Sequence, residues 1–327
     1  MNTGETIINM NYFVKKHDLK HDLTSHRWIL KIKKYLPRVI LYTFLLAISF
    51  IFIYPFLYMI VTSLKSNEDL NNFIVVWIPR TLHFNNYLLA AKLMNFSVTF
   101  KNSAITTALA TIGQLISCSM AGYGMARFKF PGKRLAFFIV ILALIVPAQA
   151  IIVPQYLLYS KLGWLNTYFP LTVPAFLGFG FKGALYIFIF RQFYLGLPKE
   201  LEEAAGVDGC GFLRTYIKIV FPIARSAYMV VLVLALVWHW SNYFEPAIFV
   251  SRTNLRMLSS GINNIADTLR LPPETLVSMY NISDENTLNT AVLMAGTFIV
   301  VLPILIMFGI LQKQFIQGIE RTGLTGE

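Results

Sequence analysis

Six stretches of this chain, residues 39–62, 102–126, 135–156, 168–193, 227–249 and 290–311, are apolar over the ~20 residues that a helix needs to cross a bilayer's hydrocarbon core. Inside lipid the backbone finds no water, so each stretch must close its hydrogen bonds within itself, as a helix does. The expected fold class is all-α: a polytopic membrane protein with six transmembrane helices. Only 13% of the 327 residues are charged, 56% are hydrophobic, and the mean hydropathy is +0.59. A soluble domain carries about 25% charged residues, so this composition excludes an ordinary soluble enzyme. The stretch 102–126 is rich in Ala, Ser, Thr and Gly, the small residues that let membrane helices approach closely.

A net charge of +12 would suit a nucleic-acid partner, but the basic residues sit in the segments between apolar stretches, which is a topology signal and not a binding face. With the N-terminus in the cytoplasm, segments 1–38, 127–134, 191–225 and 312–327 hold 19 of the 28 Lys and Arg residues. Eight fall in the outer segments, and Lys182 lies within the fourth stretch. Both termini, and the segment between stretches four and five, are therefore expected inside the cell. The basic residues 1–38 and the long first apolar run do not fit a cleaved signal peptide. The expected organisation is a cytoplasmic tail over 1–38, a transmembrane domain over 39–320 and a short cytoplasmic tail over 321–327. The outer segments 65–101 and 250–289 are long enough for short surface helices. Cys118 and Cys210 read as unpaired thiols.

The segment between stretches four and five reads Leu197-Pro198-Lys199-Glu200-Leu201-Glu202-Glu203-Ala204-Ala205-Gly206-Val207-Asp208-Gly209. Pro198 suits a first helical position, and Glu200, Glu202 and Glu203 place negative charge at the positive end of a helix dipole. Ala204 and Ala205 predict a small, smooth surface; Gly206, Gly209 and Gly211 predict the helix end and a turn. A membrane protein that holds such a helix towards the cytoplasm offers it to a partner.

Other motifs bear on mechanism. The Gly-Lys pair at Gly132-Lys133 has Arg127 and Arg134 where a P-loop needs Gly and Ser or Thr, so no ATP site is predicted. Gly178-Phe179-Gly180-Phe181-Lys182-Gly183 satisfies the dinucleotide spacing but lies in an apolar stretch, where glycine for packing or bending is the favoured reading. Lys182 at membrane depth either snorkels or faces water. His239 lacks neighbours at ligand spacing apart from Glu245, and no metal site is predicted. In Trp240-Ser241-Asn242-Tyr243-Phe244-Glu245-Pro246, rings beside polar groups suit either sugar recognition or an interfacial aromatic belt. Trp240, Asn242, Tyr243 and Glu245 are candidates for a solute pathway, together with Gln114, Gln149 and Lys182. Pro147, Pro174 and Pro303 are hinges or static kinks.

Glu203-Ala204-Ala205, then Gly209, Ile219 and Phe221-Pro222 at their offsets, resembles the cytoplasmic loop signature of permease subunits of ATP-binding-cassette importers; Phe221 stands where that pattern has Leu. Arg191-Gln192-Phe193, Phe130-Pro131-Gly132-Lys133, Pro154-Gln155-Tyr156 and Leu162-Gly163-Trp164-Leu165-Asn166-Thr167-Tyr168 are similar to the carbohydrate group of that family. So is Gln312-Lys313-Gln314-Phe315-Ile316-Gln317-Gly318, and the chain resembles the maltose-type G subunit. The resemblance implies that Glu203, Ala204, Ala205, Gly206, Asp208, Gly209, Ile219 and Pro222 form an ATPase-docking loop. It implies a second, unlike permease, two ATPase subunits that bind ATP and Mg, an extracytoplasmic solute-binding protein, and location in a bacterial cytoplasmic membrane. The solute it implies is a carbohydrate, an oligosaccharide before a monosaccharide, with a non-sugar solute in the same importer class as the rival. An ion-coupled secondary transporter would need carboxylates at mid-membrane, whereas Glu245 lies near the end of its stretch; a membrane enzyme would need clustered His, Asp or Glu, and the dense acidic set is the helix start at Glu200, Glu202 and Glu203.

Overall fold

The computed structural model describes residues 33, 35–75, 77–271, 275 and 288–324, with side chains as far as Gly318. Nearly all of the 1–38 tail, most of the end of the 250–289 segment and residues 325–327 lie outside this description. The chain divides into two compact units, Met1–Met59 and Ile60–Glu327. Every element among the described residues is helical.

Helix α1 runs over Tyr35–Ser63 and continues into the second unit. The short helices α2 (Asn67–Leu70) and α3 (Asn85–Leu93) follow in the segment expected to carry them. Helix α4, Phe96–Arg127, is the centre of the second unit and packs against the helices α7, α8, α12 and α14 defined below. Its small residues explain this. A Cβ on Gly122 would lie 2.8 Å from Phe190 Cβ and 2.9 Å from Arg191 N, so only glycine admits α8 at that depth. Gly113 does the same for Phe176 of α7, at 2.8 Å from its ring.

Among the described residues, three helices are long and apolar enough to cross a membrane unbroken, α1, α4 and α15 (Thr290–Leu324); counting each sharply bent pair as one span raises the number to five. The continuous third stretch expected over 135–156 is instead α5 (Lys133–Ile145) and α6 (Ala148–Lys161), bent by 105°. Pro147 is the cause. It offers no N–H to the turn before it, and Val146 takes the extended conformation favoured ahead of proline (φ −67°, ψ 119°). The fourth stretch is also interrupted, into α7 (Phe169–Phe176) and α8 (Gly183–Leu195). Gly178, Gly180 and Lys182 between them take φ of 71°, 102° and 64°, left-handed values that no helix continues through. The glycines serve a turn there. Pro303, by contrast, sits inside the uninterrupted α15.

The fifth stretch begins before the segment assigned to it. Helix α10 (Phe212–Thr215), a π-helical turn (Tyr216–Val220) and α11 (Phe221–Ile223) lead into α12 (Arg225–Ser241) across a 78° bend. The chain then extends at Asn242 before α13 (Phe244–Phe249), so the predicted span to residue 249 stops eight residues early. Helix α14, Leu258–Thr268, lies in the last outer segment and packs on α3, α4 and α15. Cys118 and Cys210 are both free.

Candidate functional site

The charged segment after α8 folds as a helix, α9, over Glu200–Val207. It starts two residues after Pro198, with Lys199 at the cap, so proline precedes the helix and does not open it. Glu200, Glu202 and Glu203 occupy its first turn, as the dipole favours. The far end closes as a Schellman motif: Gly209, at φ 73°, donates its N–H to Gly206 O (3.1 Å), and Cys210 N–H donates to Ala205 O (2.9 Å). Asp208 is the cap between them and donates its N–H to Ala204 O at 3.1 Å.

One face of α9 is open. Glu203, Ala204, Gly206 and Asp208 are exposed, and Val207 is 89% exposed. Ala205 departs from the expected two-alanine surface, because it is 3% exposed and faces the body of the protein. The opposite face is fastened to α4. Arg127 Nε lies 2.7 Å from Glu202 Oε1, and its Nη2 donates to Leu197 O at 2.7 Å. One turn earlier on α4, the Tyr123 ring stacks on Phe212 (5.4 Å between centroids) and meets Tyr216 (5.2 Å). One turn earlier again, Ser119 Oγ holds three tyrosine hydroxyls, of Tyr194 (2.5 Å), Tyr216 (2.6 Å) and Tyr228 (2.5 Å).

Ile219, half-buried, lies in the π-helical turn, and Pro222 follows it. A proline removes one i→i−4 bond and pushes on the carbonyl four residues back; a wider turn just before it relieves both. Nothing in apolar spacing marks Arg127, Ser119 or these tyrosines, and sequence reasoning missed them. Arg127 read as one more charge in a basic loop and as a mismatch to a P-loop, not as a partner of α9.

The seven pathway candidates are dispersed. Asn242 and Glu245 share a hydrogen bond (Nδ2 to Oε2, 2.8 Å) and line a small cavity of about 20 Å³, room for about one water, with His239, Ser103, Thr106 and Thr107. Gln114 is fully buried, donates to Phe181 O (2.8 Å) and pairs through Oε1 with His239 Nε2 (2.7 Å). Trp240 is buried and donates to Val300 O at 2.9 Å, tying α12 to α15. Gln149 and Tyr243 are exposed. Lys182, an exposed residue, caps α8 with its amine 4.6 Å from the Trp238 ring centroid, a cation–π contact. The cavity thus collects two of the seven, and His239 besides. Among the described residues no group of three or more His, Cys, Asp or Glu is placed to hold a metal.

This arrangement is the fold of a transport permease. A bacterial ABC transporter involved in the import of the acidic polysaccharide alginate superposes with a TM-score of 0.72 at 22% identity, covering 86% of this chain and 98% of that one. Residues 115–321 match the model of the binding-protein-dependent transport system inner membrane component, and the chain belongs to that family. The probable ABC transporter permease protein YurM of Bacillus subtilis is 29% identical over 289 residues, 88% of this chain and 87% of that protein. The arabinooligosaccharides transport system permease protein AraQ of Halalkalibacterium halodurans is 28% identical over 282 residues, 85% and 93% of the two chains. The protein is a permease component of a bacterial membrane transport system.

Proposed function

We propose that this chain is one of two unlike permease subunits of an ATP-driven carbohydrate importer, and that α9 is the helix through which a separate ATPase drives it. The observation that carries the reading is the two-sidedness of α9. Its small, acidic face (Glu203, Ala204, Gly206) is open, while Glu202 and Ala205 on the other face are held by the protein's own body. Two ATPase subunits, binding ATP and Mg themselves, dock from the cytoplasm; a solute-binding protein delivers from outside. The chain performs no chemistry of its own.

The membrane domain over 39–320 crosses the bilayer six times: α1, α4, α5–α6, α7–α8, α10–α12 and α15. Tails 1–38 and 321–327 are cytoplasmic, on the charge asymmetry of the segments between spans. An oligosaccharide is favoured as the solute because a relative carries arabinooligosaccharides by name. The pathway residues are Gln114, Gln149, Lys182, Trp240, Asn242, Tyr243 and Glu245, with the Asn242–Glu245 cavity on its wall.

Two experiments test the reading. Gly209→Trp forces a bulky side chain onto a left-handed backbone (φ 73°) and into the docking face. The substituted chain is expected to insert normally and lose the co-purifying ATPase and all uptake; retained attachment and uptake would sink the docking role. For the solute, ATP hydrolysis by the reconstituted complex is expected to rise with di- or trisaccharides and their binding protein. A rise only with amino acids, peptides or phosphate would move the assignment to a non-sugar importer.

A further inference from the structure

Work delivered to α9 needs a rigid route to the far side of the molecule, and the continuous chain does not supply one. From α9 it passes Gly209 and Gly211, both with open space where a Cβ would be, then the π-helical turn, Pro222 and the 78° bend into α12. These joints break the helical hydrogen-bond ladder between α9 and α12, and what spans the bend is side-chain contact, the Tyr216 and Tyr228 hydroxyls at 2.7 Å and the Phe221 and Tyr228 rings at 4.7 Å.

Helix α4 has what that route lacks. Ser119, Tyr123 and Arg127 recur every four residues, so they form one stripe along a single helix face. Each grips the docking segment. Arg127, its side chain only 6% exposed, binds Glu202 of α9 and the Leu197 carbonyl just before it. Tyr123 packs on Phe212 and Tyr216, and Ser119 bonds the Tyr216 hydroxyl. The same helix then runs unbroken for 32 residues, ~48 Å of rod. Its other end is fastened as firmly. Asn102 Nδ2 donates to Asn254 O and Arg256 O, both at 3.0 Å, and Leu258 N–H donates to Ser103 Oγ at 2.7 Å.

We infer that α4 is the rod that carries motion from the docking helix to the opposite mouth of the permease, with the Ser119–Tyr123–Arg127 stripe as its grip and Asn102–Ser103 as its attachment to the segment before α14. The inference rests on the docking role of α9 and names the positioning residues through which that role reaches the solute path. Glu202 and Glu203 are then adjacent carboxylates with different duties: Glu203 faces the partner, and Glu202 faces α4.

The test uses the full complex with its ATPase, in proteoliposomes, in a Cys210→Ser background with Asn254→Cys as an exposed reporter beside the far end of α4. The rate of labelling by a membrane-impermeant maleimide is measured with and without MgATP, alongside ATPase co-purification and hydrolysis. The parent complex is expected to show an ATP-dependent change in rate. Glu202→Gln and Tyr216→Phe are expected to keep the ATPase attached and hydrolysing while the ATP-dependent change shrinks about two- to thirtyfold, the span of coupling changes seen along such networks. Glu203→Gln is expected to weaken ATPase attachment instead. An unchanged labelling response in both Glu202→Gln and Tyr216→Phe, no ATP-dependent change in the parent, or loss of ATPase from both variants overturns the rod. Full attachment in Glu203→Gln counts against the docking face and leaves the rod standing, so the two readings fail separately. Should Glu202→Gln fail to accumulate in membranes, Tyr216→Phe, which removes one oxygen and keeps the ring, decides.

Discussion

Single side chains here are set by how closely backbones approach. Gly122 sits where α4 meets α8, with backbone atoms of Arg191 and Ile187 within 3.1 Å of the place a Cβ would take. Backbone cannot step aside as a side-chain tip can. Gly122→Leu is therefore expected to overpack the contact and cost about 1–3 kcal/mol. The check is the thermal unfolding midpoint of the detergent-purified protein, with Gly124→Ala as control; the nearest neighbour there is 3.7 Å away, and no fall is expected. The helix over Glu200–Val207 and the turn at Gly209 were readable in the sequence because Glu, Ala and Gly each bring a distinct property at fixed positions. What was not readable is which way each one faces. Ala204 and Ala205 are chemically identical, and only packing puts one outside and the other inside. Arg127 carried even less warning, since a buried ion pair and a solvated basic loop residue are spelled alike.

Helices were legible as apolar runs, whereas their interruptions were legible only as candidates, with Pro147, Pro174 and Pro303 reading alike as hinges or kinks. Hydropathy measures transfer into lipid, whereas a break reports where one turn's hydrogen bonds fail; the two quantities are independent. Four prolines show this. Pro147 ends α5 and turns the chain, while Pro154, Pro174 and Pro303 lie inside helices. The difference is context, because neighbouring helices and hydroxyls can satisfy the freed carbonyls of a kinked membrane helix. Pro147→Ala restores the missing donor and lifts the restriction on Val146. Spin labels on the exposed Ile139 and Leu157 are expected to move apart towards the ~27 Å that 18 helical residues span, as read by pulsed dipolar spectroscopy. An unchanged distance would show that tertiary packing, and not the proline, holds the 105° bend. The π-helical turn before Pro222 is the same lesson in reverse, an irregularity whose cause was visible and whose form was not.

For the protein as a unit, orientation in the bilayer is the largest claim that charge alone supports. Reporter domains inserted at Gly132 and Gly209 are expected to be active only when the reporter works in the cytoplasm, and those at Gly163 and Ser251 only when it works outside. The reverse pattern would invert the whole assembly and place α9 beyond the reach of any ATPase. Within that frame one atom has a consequence for how the moving parts meet. A serine oxygen has one proton to give and two lone pairs. The three tyrosine hydroxyls around Ser119, drawn from α8, the π-helical turn and α12, use up that valence. The knuckle between loop and helices is thus cross-braced, since the Tyr216 and Tyr228 hydroxyls also meet each other at 2.7 Å, and a stroke that parted one tyrosine from Ser119 would have to break a bond within this shared set.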